Sequence, residues 1–509
     1  MNDAQIQSSP KRWWILGALA ISLFTVGLDM TVLNLALPAL ASDLHATTSQ
    51  LQWFANAYNL VLAAALLPAG MLGDRLGRKK LLLMALLLFG GASLVCAYAE
   101  TSEILIAARA ALGLGAAFLM PLSMSLLPIL FSGEERPKAI RVWVTATAVG
   151  MPLGPILGGW LLKHYWWGSV FLINVPIIII ALIAMIWLLP ETRSAEKAPA
   201  DLPGILTSSL GLTAITYGVT EAGEKGWGDA VTLSWIIAGL LLLAIFVFWQ
   251  RNARHPLVNL SLFREARFTW GSILATLVNF SLFGVLFGLP LFFQAVNGVD
   301  AQATGLRILP MIGGLMVGAQ LSGKLIKLTG DKMIIVLGFL LMAAGLFLGG
   351  FTEASGSYGY AAVWIAIIGT GLGFALPSAM DAALGVLAVE RNGVGSALIM
   401  ALRQVGGTIG VALLGSLLNS VYHRQLDVGG LPPQAAEAVR DNVATGVQVA
   451  RQMNNAPLLE SVRSAFTNGL DVMLWACAGI AAFGVIATLL FLPRMKRTYV
   501  QTINSTNEA

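Results

Sequence analysis

The segment GMLGDRLGRK at 70–79 returns as GKLIKLTGDK at 323–332, with Gly, Leu, Gly and Lys at offsets 0, 2, 7 and 9, 253 positions later. Two more echoes keep the same order. ALP ending at Pro38 is matched by GLP ending at Pro290, a shift of 252, and GLGAAFLMP (113–121) by GLGFALP (371–377), a shift of 256 to 258. In a chain with 54 glycines any one match is weak. Three near-equal shifts in order indicate a duplicated architecture.

Composition says what kind of unit is duplicated. Of 509 residues, 57% are hydrophobic and 11% charged, with mean hydropathy +0.77. A water-soluble protein cannot hide that much apolar surface, so the class is all-α and polytopic in a membrane. A crossing helix needs about 20 apolar residues. That rule places spans near 13–38, 51–72, 81–99, 103–130, 141–162, 169–189, 203–222, 232–250, 268–295, 303–328, 333–352, 360–388, 396–420 and 468–492. Lys11 and Arg12 precede the first run, but its length and lack of a small-residue cleavage site mark a retained helix, not a signal peptide. With the N-terminus inside, 22 of the 31 Lys and Arg residues fall on cytoplasmic segments and seven outside. That bias puts both termini in the cytoplasm. Cys96 and Cys477 lie in apolar segments and suggest no disulfide framework.

The shift pairs the first six spans with the last six. The expected division is an N-terminal half at 1–190, a two-helix insert at 191–260, and a C-terminal half at 261–509. This second half includes an external loop, 421–467, whose helical spacing suits either a hairpin over the outer mouth or a solvated loop. Two six-helix halves related by an axis along the membrane normal characterise one large class of carriers, with the cargo site near the midplane.

The motifs now point to a family. GMLGDRLGRKK (70–80), LDMTVLNLALP (28–38), QWFANAY (52–58), GMPLGPILGG (150–159) and FLINVP (171–176) together resemble the fourteen-helix drug/proton antiporter branch of the major facilitator superfamily, over nearly the whole chain. One motif departs: RAALG (109–113) keeps Arg109 but has Leu112 where the family pattern carries glutamine. The resemblance implies a gating loop at Gly70, Gly73, Asp74, Arg75, Gly77 and Arg78. It also implies an antiporter motif at Gly150, Pro152, Gly154, Pro155, Gly158 and Gly159, where glycine and proline permit tight packing and a bend.

Charges at membrane depth are costly and usually kept for a task. Asp29 lies roughly 13 Å inside the first span, counting 1.5 Å per residue, and Arg109 lies at a compatible depth in the fourth. In the family's fold these helices share the first half's part of the cavity. Asp29 is therefore the expected proton carrier, with Arg109 and its dry surroundings acting on it in opposite senses; a permanent structural pair is the alternative. Asp381 and Arg403 lie at one depth in adjacent antiparallel spans, so an ion pair is expected, either a second coupling site or a structural pair. Asn34, Trp53, Tyr58, Phe280, Phe283 and Phe287 are candidate cavity residues, the aromatics offering faces to a flat lipophilic cation. The four histidines (His45, His164, His255 and His423) fall in loops or at helix ends and are poor proton carriers.

No GxxxxGK[ST] loop occurs, so the energy source is expected to be the proton gradient, with no cofactor and no metal. The expected protein is a proton-coupled antiporter, not an enzyme, exporting lipophilic, cationic small molecules across the cell membrane. Its partners are cargo and lipid, with no nucleic acid; the sequence fixes no oligomeric state and is compatible with a monomer. A dedicated exporter of one compound on the same scaffold stays open, and a polytopic enzyme or receptor is a remote rival.

Overall fold

The structure, a computed structural model, describes residues 11–46, 48–132, 135–192, 201–354, 356–387, 392–429, 431–441 and 443–494. Fourteen helices among them are long and apolar enough to cross a membrane. In chain order the first eight are α1 (Lys11–Asp43), α2 (Thr48–Leu76), α3 (Arg78–Ala97), α4 (Ser102–Leu130), α5 (Glu135–His164), α6 (Ser169–Leu188), α7 (Leu202–Lys225) and α8 (Ala230–Asn252). They are followed by α9 (Ala266–Leu291), which runs into a π-turn at Phe292–Val296, then α10 (Ala301–Thr329), α11 (Asp331–Gly349), α12 (Tyr358–Leu384) and α13 (Asn392–Gln425). Two short helices, α14 (Pro433–Asp441) and α15 (Val443–Gln452), precede α16 (Ala456–Phe491), the last span. All regular structure among the described residues is helical.

Short polar residues start many of these helices. The side chains of Thr101, Asp201, Asp229, Asp300 and Asn455 each accept a backbone N–H from the first turn of α4, α7, α8, α10 and α16. Such a cap is worth about 1 kcal/mol and fixes where the chain turns. Between α2 and α3, and again between α10 and α11, one glycine makes the turn: Gly77 at φ 106° and Gly330 at φ 83°, 253 positions apart. A side chain would be strained at either.

Helix packing carries the same repetition. α1 lies on α5 and α6, α2 on α4, and α3 on α4 and α6; likewise α9 lies on α13 and α16, α10 on α12, and α11 on α12 and α16. Lys79 Nζ donates to the carbonyl of Ile186 near the end of α6, and Lys332 Nζ to that of Leu489 near the end of α16, both at 2.8 Å. A cation there suits the negative end of the helix dipole. Contacts between the two sets of six run mainly through α5 on α10 and α12, and α13 on α2 and α4.

The α7–α8 pair stands beside these. α7 packs against both α2 and α13, while α8 packs mainly on α7 and turns Leu240, Leu241 and Phe248 outward. The pair is pinned at one end by Asp201, whose carboxylate accepts from the backbone of Gly204 and Leu257 and from Trp249 and Gln250 at 2.6–3.1 Å.

The loop expected at 421–467 is shorter, and it carries the helical hairpin that is one of the two expectations for it. α13 continues to Gln425, α16 begins at Ala456, and α14 and α15 fold between them. Tyr422 donates to the carbonyl of Val439 at 2.8 Å, and Val443, Val447 and Ala450 are buried. This hairpin packs on α16 and the π-turn after α9, so it belongs to the C-terminal set. Its moderate hydrophobicity hid it from a span count, because helices in water need only one apolar face.

Candidate functional site

Asp29 on α1 and Arg109 on α4 meet at 2.6 Å, with the two residues 0% and 2% exposed. Arg109 is aimed by two further contacts from α2: its Nε donates to the Phe54 carbonyl at 2.9 Å, and its guanidinium lies 4.7 Å from the Tyr58 ring centre. The second carboxylate oxygen, Oδ1 of Asp29, has no hydrogen-bond partner among the described residues, nor has the Tyr58 hydroxyl. Removing either charge would strand the other at a cost of several kcal/mol.

Asp29 is held in place by the α5 glycines. A Cβ on Gly150 would sit 2.8 Å from the Leu28 amide nitrogen, and one on Gly154 3.0 Å from the Leu28 carbonyl. Thr31 closes the seam by donating to the Met151 carbonyl at 2.6 Å. Gly158 faces Val32 on α1, and Gly159 faces Gln302 at the start of α10. Thus most of this motif sets the α1–α5 approach and its last glycine touches the other set. The side chains of Pro152 and Asn34 lie outside the described residues.

The expected Asp381–Arg403 pair is absent. Asp381 instead accepts from Arg136 Nε on α5 at 2.7 Å, and Arg403 Nη2 donates to Asn279 on α9 at 3.0 Å. α12 and α13 are successive and antiparallel but share few contacts. Asp381 therefore faces α5, and Arg403 faces α9. Equal depth along two helices says nothing of the direction in which a side chain points.

Asp381–Arg136 ties the sets together at the end of the bundle that holds the 70–80 loop. Asp74 ties them too: it takes Arg78 at 2.6 Å and the backbone N–H groups of Gly393 and Val394, both at 3.2 Å, at the start of α13. A carboxylate there satisfies orphan amides and the positive helix end together. Gly70 lets the chains approach, since a Cβ would lie 2.6 Å from that of Ala397. Gly73 packs on Leu122 of α4, and Gly77 makes the turn. Glu191, just after α6, accepts from the Lys79 and Lys80 amides and so caps α3. Arg75 is half-buried at the edge of this cluster.

Towards the opposite end the sets enclose a cavity of about 310 Å³. Its walls are Asn56 and Asn59 of α2, Thr220 of α7, Phe283 and Phe287 of α9, and Gln404, Thr408, Ser416 and Asn419 among others on α13. A smaller chamber of about 40 Å³ shares Phe283 and Gln404 with it and adds Met30, Trp143, Asn279 and Arg403. Two of the expected aromatics, Phe283 and Phe287, thus line the cavity. Phe280 packs into the core beside it. Tyr58 is sealed under Arg109, and Trp53 stacks on Tyr217 of α7 with ring centres 6.2 Å apart. The sequence reading missed the amides and hydroxyls. A signal was present: Gln404, Thr408, Ser416 and Asn419 form a stripe at helical spacing through an apolar span.

Comparisons with known proteins agree with this architecture. A sequence profile of the Major Facilitator Superfamily matches residues 19–411. The chain is 33% identical to the tetracenomycin C resistance and export protein of Streptomyces glaucescens, over 94% of this chain and 91% of that one. It is 32% identical to the multidrug efflux pump LfrA of Mycolicibacterium smegmatis, over 95% of each chain. With the methyl viologen resistance protein SmvA of Salmonella typhimurium it shares 28%, over 96% of this chain and 99% of that one. The crystal structure of the human organic anion transporter MFSD10 is similar in fold, with a TM-score of 0.61 at 13% identity, covering 94% of this chain and all of that one. Fourteen membrane-length helices, two sets of six with the same packing, and a match over most of its length lead to one assignment: the chain belongs to the Major Facilitator Superfamily.

Proposed function

We propose that this multi-pass membrane transporter exports lipophilic small molecules in exchange for protons, using Asp29 as the proton-bearing group. The observation that carries the proposal is the buried Asp29–Arg109 pair, with one carboxylate oxygen open, on helices beside a cavity between the two halves. The relatives supply the export direction and the small-molecule cargo. The end holding Lys11, Arg78, Lys79 and Lys332 is cytoplasmic by the charge bias, so the Asp74 and Asp381 ties close the cytoplasmic side while the cavity lies towards the outside.

Protonating Asp29 takes away half of a buried ion pair. Arg109 then lacks its counter-charge, and the α1–α4 contact that held one arrangement of the half is weakened. Rocking of one half on the other exposes the cavity to the second side. Both halves of the cavity come from one chain, so a single copy suffices. The inferred energy source is the proton gradient.

The deciding experiment is dye efflux from vesicles under an imposed pH gradient, comparing the intact protein with Asp29→Asn. The variant should fold and insert but lose gradient-driven transport. Unchanged transport would remove Asp29 from the mechanism. Some relatives carry the name of a single compound, tetracenomycin C or puromycin. A specialist reading therefore stands beside the broad one, and a resistance panel separates them, since a specialist protects against very few chemicals.

A further inference from the structure

Among the described residues, the half-buried Arg403 on α13 has no acid beside it. Arg78, Arg109 and Arg136 pair with Asp74, Asp29 and Asp381. Around Arg403 no carboxylate comes within ion-pair distance among the described residues. Its Nη2 donates to Asn279 Oδ1 at 3.0 Å; its Nη1 has only the sulfurs of Met380 and Met400 at 3.7 and 3.6 Å; its Nε is buried with no partner. A guanidinium carries five donors, and thioethers are weak acceptors, so most of its capacity is unused. Asn279 also donates back to the Arg403 carbonyl at 3.0 Å, which fixes the side chain's aim. Arg403 is half-buried, and a cation partly withdrawn from water without a counter-charge carries a desolvation cost. Its survival there points to a negative charge that arrives from elsewhere.

The cavity supports a visiting charge. Arg403 lines the smaller chamber, which shares the side chains of Phe283 and Gln404 with the larger one. The larger wall offers neutral amides and hydroxyls with two phenylalanine rings, and among the described residues neither wall contains a carboxylate. Asp29, the basis for expecting a cationic cargo, is fully buried against Arg109 and lines neither chamber.

We infer that Arg403, with Asn279 and Gln404, forms a subsite for an anionic oxygen, a phenolate, enolate or carboxylate, carried by a flat aromatic cargo. The planar fork of the guanidinium suits such oxygens in pairs, while Phe283 and Phe287 take the rings. The cavity then selects acidic, oxygen-rich aromatics over lipophilic cations. This inference rests on the export proposal for its cargo, but its site can be tested by binding alone.

The test uses the full-length protein in lipid nanodiscs and two probes: 4,5-dihydroxyanthraquinone-2-carboxylate, a flat anion, and tetraphenylphosphonium, a lipophilic cation. The intact protein should bind the anion at least about tenfold more tightly than the cation. Arg403→Gln should lose about tenfold for the anion and nothing for the cation. Gln404→Glu, which leaves Arg403 in place and adds a carboxylate to the wall, should reverse the preference, so the test survives if the first variant fails to fold. Equal or tighter cation binding by the intact protein, no anion binding, or an anion affinity untouched by Gln404→Glu overturns the subsite. Anion binding of the expected pattern with no gradient-driven movement of any compound would instead keep the subsite and end the export proposal.

Discussion

Asp381 shows how far depth arguments reach at the scale of single residues. Counting residues along α12 and α13 places Asp381 and Arg403 at one level, but the 100° turn per helical residue decides which neighbour each meets. Asp381 bonds to Arg136 across the interface between halves. Breaking that tie should cost about 1.5–3 kcal/mol, the scale of a hydrogen bond between charged groups. Arg136→Asp or Asp381→Arg alone should lower transport, and the two together should restore it. The same exchange between Asp381 and Arg403 should restore nothing. Transport and thermal stability of the four proteins measure this, and rescue through Arg403 would refute the assignment.

Among the elements, α7 and α8 depend most on one side chain. Burial acts to raise the Asp201 carboxyl, but hydrogen bonds from Gln250, Gly204, Trp249 and Leu257 outweigh it and hold the group below the usual carboxylate range. A depressed folded value means the stabilisation is fully present above the ordinary carboxylate range and is lost as pH falls through the lowered value. Asp201→Asn keeps a capping oxygen but turns the other acceptor into a donor facing donors, so it should melt at a lower temperature at neutral pH, by about 1–3 kcal/mol, the cost of buried groups left unpaired. Its difference from the intact protein should shrink on acidification towards pH 3. Equal melting at neutral pH would show that the carboxylate does not hold the pair. α16 teaches a complementary lesson: its first twelve residues, 456–467, are too polar to count as membrane span, but a helix need not end where the apolar run does.

Across the whole molecule, the ties lie at the loop end and the cavity towards the other end, the arrangement expected of one state in the proposed transport cycle. Asp74→Asn removes the charge that holds the start of α13 against α2. The expected result is a shift of about 1–3 kcal/mol, five- to 150-fold, towards the state open at that end. Spin labels at Lys80 and Leu328, both exposed, report the opening as a longer distance population. The native cysteines Cys96 and Cys477 are buried and leave the background low. Identical distance distributions for the variant and the intact protein would exclude Asp74 as a latch.

The sequence by itself determined the membrane class, the fourteen helices, the internal duplication and the residues with a charge at depth. Each of these follows from local physics: apolar length against bilayer thickness, glycine where the backbone must turn at positive φ, and repeated motifs at a fixed shift. It also placed Asp29 and Arg109 at matching depth, because distance along a helix is linear in residue number. Only the tertiary structure decided which charges meet and which face the cavity. Pairing depends on helix rotation and on which helices are neighbours, and α12 and α13 show that successive helices need not be. For the same reason Arg403 emerged without an acid and the amides of α2 and α13 as a wall: facing is a property of the packed bundle, and no single span contains it.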